Sequence, residues 1–128
     1  MTAWTKDELS RIDAADELEI APLRRDGTLR NPTTIWVVRL GDDLFIRSVN
    51  GRTAAWFRGT QVRHQGHIQV GGVDKDVAFV DSDTDIDDQI DAAYRTKYHR
   101  YAAGIVSSVV SPEARSATIK LVPRSPSS

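Results

Sequence analysis

Hydrophobic residues recur at helical spacing in two stretches of the chain. The first follows a capping-box pattern made by Thr5 and Glu8, with Leu9 and Ile12 on one face, so a helix is predicted to begin near Lys6 within an N-terminal segment 1–16. The second covers 85–101, where the periodic positions are Ile86, Ile90, Tyr94 and Tyr98. Acidic residues lie near its start and basic residues near its end, as the helix dipole favours. We expect two amphipathic helices that pack on a sheet.

Alternating and β-branched runs predict strands in most of the remaining chain. The runs are 18–20, 34–40, 44–49, 62–70, 77–80 and 117–122. Turn residues separate them, notably Asp26-Gly27, Gly41-Asp42-Asp43 and Asn50-Gly51, while Gly71-Gly72 and the charged segment 74–76 join the fourth and fifth. Segment 53–57 is compatible with a short helix or a bend.

The length and composition favour one ordinary domain. The chain of 128 residues suffices for a single core, so 1–128 is predicted to be one domain with a frayed Pro/Ser tail at 123–128. Because the sequence contains no cysteine, disulfides and thiolate chemistry are excluded. No apolar run resembles a signal peptide or a membrane span, and a cytoplasmic location is the expectation.

The charge distribution points to a local anion site and away from large anionic partners. Seventeen basic and eighteen acidic residues leave a net charge of −1, which argues against nucleic acid or an anionic membrane as a partner. Arginines nevertheless crowd the first half of the chain, whereas acidic residues dominate 74–91.

The sequence lacks a metal-binding or catalytic motif. Asp81, Asp83 and Asp85 have the spacing that opens an EF-hand loop, but Ile86 and Ala92 occupy the positions that need Gly and Glu, so no metal is predicted. His64 and His67 should point to opposite faces of a strand. No Walker loop, HExxH helix or hydrolase elbow occurs, and catalytic residues stay unassigned.

The stretch 45–58 carries the most specific chemistry in the chain. Arg47, Ser48, Gly51 and Arg52 gather guanidinium, hydroxyl and backbone donors where a predicted strand ends. Such donors suit a phosphate group. A solvated basic hairpin end explains the same residues equally well.

The order of these features resembles a known group of proteins. The order begins with a helix, followed by strands around Arg25-Asp26-Gly27 and 35–38. It continues with the segment from Arg47 to Trp56, a hairpin, and a helix with Tyr94-x-x-Lys97-Tyr98. It resembles an uncharacterised bacterial family of the FMN-binding split-barrel superfamily, over residues 18–122. That superfamily includes pyridoxamine-phosphate-oxidase-like proteins and deazaflavin-dependent nitroreductases.

The resemblance implies a fold, an assembly and a site. The fold would be of the α+β class and mainly β, a six-stranded antiparallel Greek-key split barrel with an N-terminal helix and a long helix near 85–101. The assembly would be a homodimer that binds FMN or a deazaflavin at the subunit interface. By position, the cofactor-binding residues would be Arg47, Ser48, Gly51, Arg52, Ala54, Ala55, Trp56 and Lys97.

Three functions remain open at this point. The first is a small flavin- or deazaflavin-dependent oxidoreductase acting on a small molecule, in which the cofactor supplies the redox chemistry. The second is a non-enzymatic module that binds a phosphorylated or aromatic small molecule on the same barrel. The third is a structural dimer that has lost the cofactor, because fold does not dictate function.

Overall fold

One curled antiparallel sheet forms the centre of the molecule, for which a computed structural model describes residues 3–82 and 84–124. Within these ranges seven strands pair in the order β2-β1-β5-β6-β7-β4-β3. The strands are β1 Leu18–Pro22, β2 Thr33–Ile35, β3 Val38–Leu40, β4 Asp43–Arg47, β5 Gln65–Val70, β6 Val73–Asp81 and β7 Thr118–Pro123. Every pair of neighbours is antiparallel.

The two edges of this sheet are joined by a very short connection. β2 and β3 are the outermost strands on opposite sides, yet only Trp36 and Val37 separate them in the chain. Three extended peptide steps span at most about 11 Å, so the two edges must lie close together. The sheet therefore curls into a half-barrel that is split along the line of Trp36 and Val37.

This split corrects the predicted strand count. The run 34–40 was expected to form one strand of a six-stranded barrel, but it breaks into β2 and β3, which belong to opposite edges, and the sheet has seven strands in the described ranges. The hydrophobic run reports burial and extended backbone. It does not report that the chain changes partner from β1 to β4 in its middle.

The helices cover the ends and one outer face of the sheet. In the described ranges they are α1 Lys6–Ala14, α2 Ala55–Arg63, α3 Asp87–Lys97, α4 Ala103–Val109 and α5 Pro112–Ser116, with 3-10 turns at Gly51–Thr53 and Thr84–Ile86. The capping box of α1 is present as predicted. The helix predicted at 85–101 is confirmed in its central part, where Ile90 and Tyr94 are buried, while Ile86 is half-buried.

Other boundaries depart from the sequence prediction. Residues 55–63 are helical instead of partly a strand, and His64 closes α2 in the left-handed region at φ 56° before β5 begins. Gly71 and Gly72, at φ 55° and 85°, make the β5–β6 turn. The charged segment 74–76, which was predicted to be a turn, is part of β6 instead. Its side chains are alternately exposed and half-buried, as in a strand. Residues 1 and 2 of the predicted helical segment and 125–128 of the predicted tail lie outside the described residues.

Two hydrophobic clusters bury β4 on both faces. Leu44 and Ile46 belong to the cluster inside the half-barrel, whereas Phe45 belongs to a second cluster beneath α3 and α4. The second cluster is Val38, Phe45, Ile90, Tyr94, Tyr98, Val106 and Val109. In the described part of the chain, no helix is long and apolar enough to cross a membrane.

Candidate functional site

Arg47 ends β4 and donates into a buried network. Its side chain is fully buried, and Nε donates to Thr118 Oγ1 at 2.9 Å. Nη1 pairs with the Asp91 carboxylate and reaches Val109 O at 3.2 Å, while Nη2 reaches Asp87 Oδ1 at 3.3 Å. The internal acceptors therefore engage all three guanidinium nitrogens of the arginine that was predicted to hold phosphate.

A second arginine completes this network. Arg115 Nε donates to Asp91 Oδ2 at 3.0 Å, and its guanidinium also pairs with Asp88. Burial acts to raise the pKa of Asp91, but hydrogen bonds from Arg115 and Arg47 outweigh it and hold that pKa below its ordinary value. The network joins α3, α5, β4 and β7.

The other members of the predicted cradle meet different neighbours. Ser48 is buried, and its Oγ has no hydrogen-bond partner among the described residues. Gly51, at φ 72°, faces Glu113, whose Cβ would lie 3.5 Å from a Cβ at position 51. Arg52 donates to Ser116 O at 2.9 Å and covers the ring of Phe57. A phosphate cradle at these residues stays a prediction.

Lys97 lies in a separate groove between α1, β3 and α3. Its Nζ donates to Val37 O at 2.7 Å and to Ile12 O at 3.3 Å. Burial lowers the pKa of Lys97 to about 8, although Asp13 and Asp16 act in the opposite direction. The structure therefore separates Lys97 from the other predicted cofactor residues.

A cleft of about 390 Å³ with several aromatic and aliphatic side chains opens along the split of the barrel. We call it the aromatic cleft; its lining is Thr33, Thr34, Ile35, Trp36, Arg47, Val49, Asn50, Trp56, Ile105, Ser108 and Val109. Val49 and Ile105, which line this cleft, are 46% and 52% exposed. Of the predicted cofactor residues, Arg47 and Trp56 line this cleft.

One wall of the aromatic cleft is held rigidly. The ring of Trp36 stacks on that of Tyr98 with centroids 3.9 Å apart and planes 5° apart. Tyr98 is itself fully buried, and its hydroxyl donates to Asp16 O at 2.6 Å and accepts from Val37 N at 3.1 Å. These bonds fix the stacked pair, so the indole of Trp36 is pre-organised.

A second cleft of about 340 Å³ adjoins the first. We call it the basic cleft; its lining is Pro22, Arg24, Arg30, Asn31, Pro32, Thr33, Ala55 and Trp56. Thr33 and Trp56 line both clefts, which places the two side by side. Among the described residues that line them, none is acidic. The predicted Ala55 belongs to this cleft, and Ala54 precedes it at the start of α2.

The sequence did not single out Arg24 and Arg30 as site residues. The excess of arginine in the first half of the chain was the available signal. The connection between β1 and β2 carries both arginines, and Trp56 comes from α2, so the fold had to bring distant segments together.

No metal centre is found in the described part of the chain, where no group of three or more His, Cys, Asp or Glu side chains has suitable geometry. His67 instead lies between Asp74 and Asp76, with Nδ1 2.7 Å from Asp76 Oδ1. Burial lowers the pKa of His67, but the two aspartates raise it by more, so the net shift is upward. Asp83 of the EF-hand-like spacing lies outside the described residues.

Solved structures share this fold at low sequence identity. An "F420 Reductase" is 15% identical with a TM-score of 0.56, covering 90% of each chain. The conserved hypothetical protein Rv2991 from Mycobacterium tuberculosis is 8% identical with a TM-score of 0.59, covering 98% of this chain and 82% of its own. The FAD and heme binding protein from Mycobacterium smegmatis is 14% identical with a TM-score of 0.54, covering 94% of this chain and 66% of its own.

These likenesses establish the split-barrel fold that the sequence resemblance implied. No curated protein matches the chain significantly. Residues 8–121 match the model of a family described as "Uncharacterized protein conserved in bacteria (DUF2255)". The match covers most of the chain, and the protein therefore belongs to this bacterial family.

Proposed function

We propose that the protein binds a flavin-type cofactor, FMN or a deazaflavin, with the ring system in the aromatic cleft, and that it acts as a small oxidoreductase. The aromatic cleft carries this proposal, because Trp36 and Trp56 line one opening of about 390 Å³ and Trp36 is locked in place. Structures of the same fold support it, since one is an F420 reductase and another is an FAD and heme binding protein.

The residues of the cleft fit a planar heteroaromatic ring. Trp36, Trp56 and the aliphatic side chains of Ile35, Val49 and Ile105 offer apolar contact, as small-molecule sites usually do. The hydroxyls of Thr33, Thr34 and Ser108 and the amide of Asn50 can hydrogen-bond the polar edge of such a ring. When bound, a flavin-type group would supply electron or hydride transfer, and the chain would bind it, orient it and exclude water.

Among the predicted cofactor residues, Trp56 is central to this proposal. Ala54 and Ala55 lie beside it at the start of α2, and Arg47 forms part of the cleft wall. The internal ion pairs of Arg47 make it a rigid wall residue in this arrangement.

Cofactor titration tests the proposal directly. The intrinsic tryptophan fluorescence of the wild-type protein should be quenched when FMN or F420 binds, because Trp36 and Trp56 would contact the ring. Trp56→Ala should weaken binding roughly 5- to 150-fold, the range expected for losing one stacking partner. Intrinsic fluorescence and isothermal titration calorimetry measure this.

A matched pair of variants controls the experiment. Ile105 and Val62 are both exposed aliphatic residues, at 52% and 44%, but only Ile105 lines the aromatic cleft. Ile105→Asp should weaken the binding of the cofactor, whereas Val62→Asp should leave it unchanged. Failure of wild-type protein to bind either cofactor, or equal weakening by both variants, would refute the proposal.

A non-enzymatic binding module is the second candidate function. It is favoured by the lining of the aromatic cleft, whose described residues include no His, Asp, Glu or Lys to transfer a proton. Reduction assays separate the two functions. A bound cofactor that exchanges electrons with NAD(P)H or another small molecule supports the oxidoreductase, whereas tight binding without any such exchange supports the module.

We also propose that the protein is a homodimer in which a second copy covers the rim of the aromatic cleft. The exposed Val49 and Ile105 support this, because apolar rims commonly mark interfaces. Analytical ultracentrifugation at high micromolar concentration decides it. A monomer under those conditions would contradict the dimer and leave the cofactor proposal to the titrations above.

A further inference from the structure

The basic cleft is lined by two arginines and, among the described residues, by no acidic side chain, although the charge of Arg24 also acts on Asp26 in its own turn. Arg24 uses Nη1 for Thr28 Oγ1 at 3.3 Å and Leu29 O at 2.9 Å, and the described contacts leave its other nitrogens unused. Within 3–82 and 84–124 the guanidinium of Arg30 makes no hydrogen bond or ion pair, and its stem lies against Gly59. Both side chains therefore retain donors for an external anion.

The backbone positions both arginines in advance. Arg24 N donates to Thr28 O at 2.7 Å and Arg24 O accepts from Gly27 N at 3.0 Å, which closes the turn that carries Arg24. Arg30 packs across α2 at Gly59, so closely that a Cβ at position 59 would lie 3.0 Å from Arg30 Cδ and 3.1 Å from Nε. The absence of a side chain at Gly59 thus lets the stem of Arg30 lie against the helix.

The start of α2 adds to the positive character of this cleft. Its N-cap is Ala54, which has no side-chain oxygen to accept from the first N–H groups, and its first turn contains no acidic residue. Ala55 and Trp56, the first two residues of the helix, line the cleft beside the arginines. Like charges around one concavity repel each other, and a bound anion relieves that repulsion.

From these observations we infer that the basic cleft binds the phosphate group of a small molecule through Arg24 and Arg30. Guanidinium forks match the geometry of phosphate oxygens and bind them by charge-assisted hydrogen bonds. Since Thr33 and Trp56 line both clefts, a single ligand can place its ring in the aromatic cleft and its phosphate in the basic cleft. In that form the inference rests on the proposed function. A separate phosphorylated molecule would use the same two arginines.

The first arm of the test compares FMN with riboflavin. Wild-type protein should bind FMN more tightly than riboflavin. Arg30→Ala should lower the affinity for FMN roughly 10- to 100-fold and leave the affinity for riboflavin unchanged. Arg24→Ala should act in the same direction. Arg95→Ala removes an exposed arginine of α3 that lines neither cleft, and it controls for net charge.

Two further variants sharpen this arm. Gly59→Ala keeps every charge and favours a helix, but its added methyl group would push against Arg30. It should therefore weaken the binding of FMN and not that of riboflavin. Arg52→Ala tests the cradle predicted from the sequence instead. A loss of the FMN preference in Arg52→Ala but not in Arg30→Ala or Arg24→Ala would overturn the inference.

The second arm needs no flavin and uses inorganic pyrophosphate in calorimetric titration. If FMN, riboflavin and F420 all fail to bind, the proposed function fails, and saturable pyrophosphate binding that is lost in Arg30→Ala still supports the phosphate site. If pyrophosphate binding is lost in Arg30→Ala and FMN and riboflavin bind equally well, the site is assigned to a separate phosphorylated molecule. Wild-type protein that shows neither a preference for FMN nor saturable pyrophosphate binding would overturn the inference.

Discussion

At the scale of single residues, Lys97 shows how burial changes a side chain. Its Nζ donates to the carbonyls of Val37 and Ile12, and burial lowers its pKa to about 8. Ile12 O has another donor in Ala15 N at 3.1 Å, whereas the single hydroxyl proton of Tyr98 goes to Asp16 O at 2.6 Å, so Val37 O depends on Lys97. Replacing Lys97 by Met would therefore keep most of the side-chain volume and leave Ile12 O paired, while the donor lost at Val37 O costs the same at every pH.

The depressed pKa predicts a specific pH dependence of stability. Between about 8 and the ordinary value of 10.5, the unfolded chain binds more protons at Lys97 than the folded chain. The free energy of unfolding of the wild type, relative to Lys97→Met, should therefore rise as pH increases through this window and level off above it. Urea unfolding of both proteins at pH 7, 8, 9 and 10.5 measures the difference. Parallel pH profiles would contradict the prediction.

At the scale of elements, β1 and β5 approach each other unusually closely at Gly66. A Cβ at this position would lie 2.6 Å from Ala21 O and 2.8 Å from the ring of Phe79. The backbone of β1 and a core aromatic ring occupy the space that any side chain would need. The pairing of β5 with β1 thus depends on one glycine.

Substitution of this glycine should destabilise the protein. Gly66→Ala must displace β1 or Phe79, and overpacking of this kind costs roughly 1 to 3 kcal/mol in the free energy of unfolding. Gly104→Ala is the matched control, because Gly104 lies inside α4 with open space around its Cα. It should be neutral or stabilising by up to about 1 kcal/mol. Chemical denaturation of both variants checks this, and an equal stability of the two would show that β1 and β5 can separate without cost.

At the scale of the whole molecule, the network of Arg47, Asp91 and Arg115 ties the helical layer to the sheet. Arg47 comes from β4, Asp91 from α3 and Arg115 from α5, and Thr118 of β7 accepts from Arg47. Removing one partner from a buried ion pair leaves the remaining charge without compensation. The integrity of this layer therefore depends on Asp91 remaining ionised.

Acid should weaken the molecule through this network. Because the folded pKa of Asp91 lies below its ordinary value of 3.8, its contribution is complete above that value and is lost as pH falls further. At pH 7, Asp91→Asn should lower the free energy of unfolding by up to roughly 3 to 5 kcal/mol. The gap between the variant and the wild type should narrow below about pH 4.

Urea unfolding between pH 3 and pH 7 measures the size of this gap. Asp43→Asn provides the control, because Asp43 is half-exposed and its carboxylate lies as far as 4.0 Å from Lys120 Nζ. Its loss should lower the free energy of unfolding by less than about 1 kcal/mol. A gap at Asp91 that does not change with pH would exclude its ionisation as the cause.

Local sequence signals determined much of the architecture. The capping box of α1, the period of α3 and the turn residues each depend on neighbours a few positions away, so they can be read before the fold is known. The resemblance to the split-barrel superfamily came from the same order of local signals. The stretch 103–116 lacks a clear period, which is why α4 and α5 were not predicted.

Only the tertiary structure decided where the chain changes partners and which side chains meet. Hydrophobic periodicity reports that a face is buried but not what covers it. Curling of the sheet divided the run 34–40 between opposite edges and placed Trp36 at the split. It also turned Arg47 into an internal ion pair and brought Arg24 and Arg30 beside Trp56. These contacts join segments far apart in the chain, and long-range packing alone sets them.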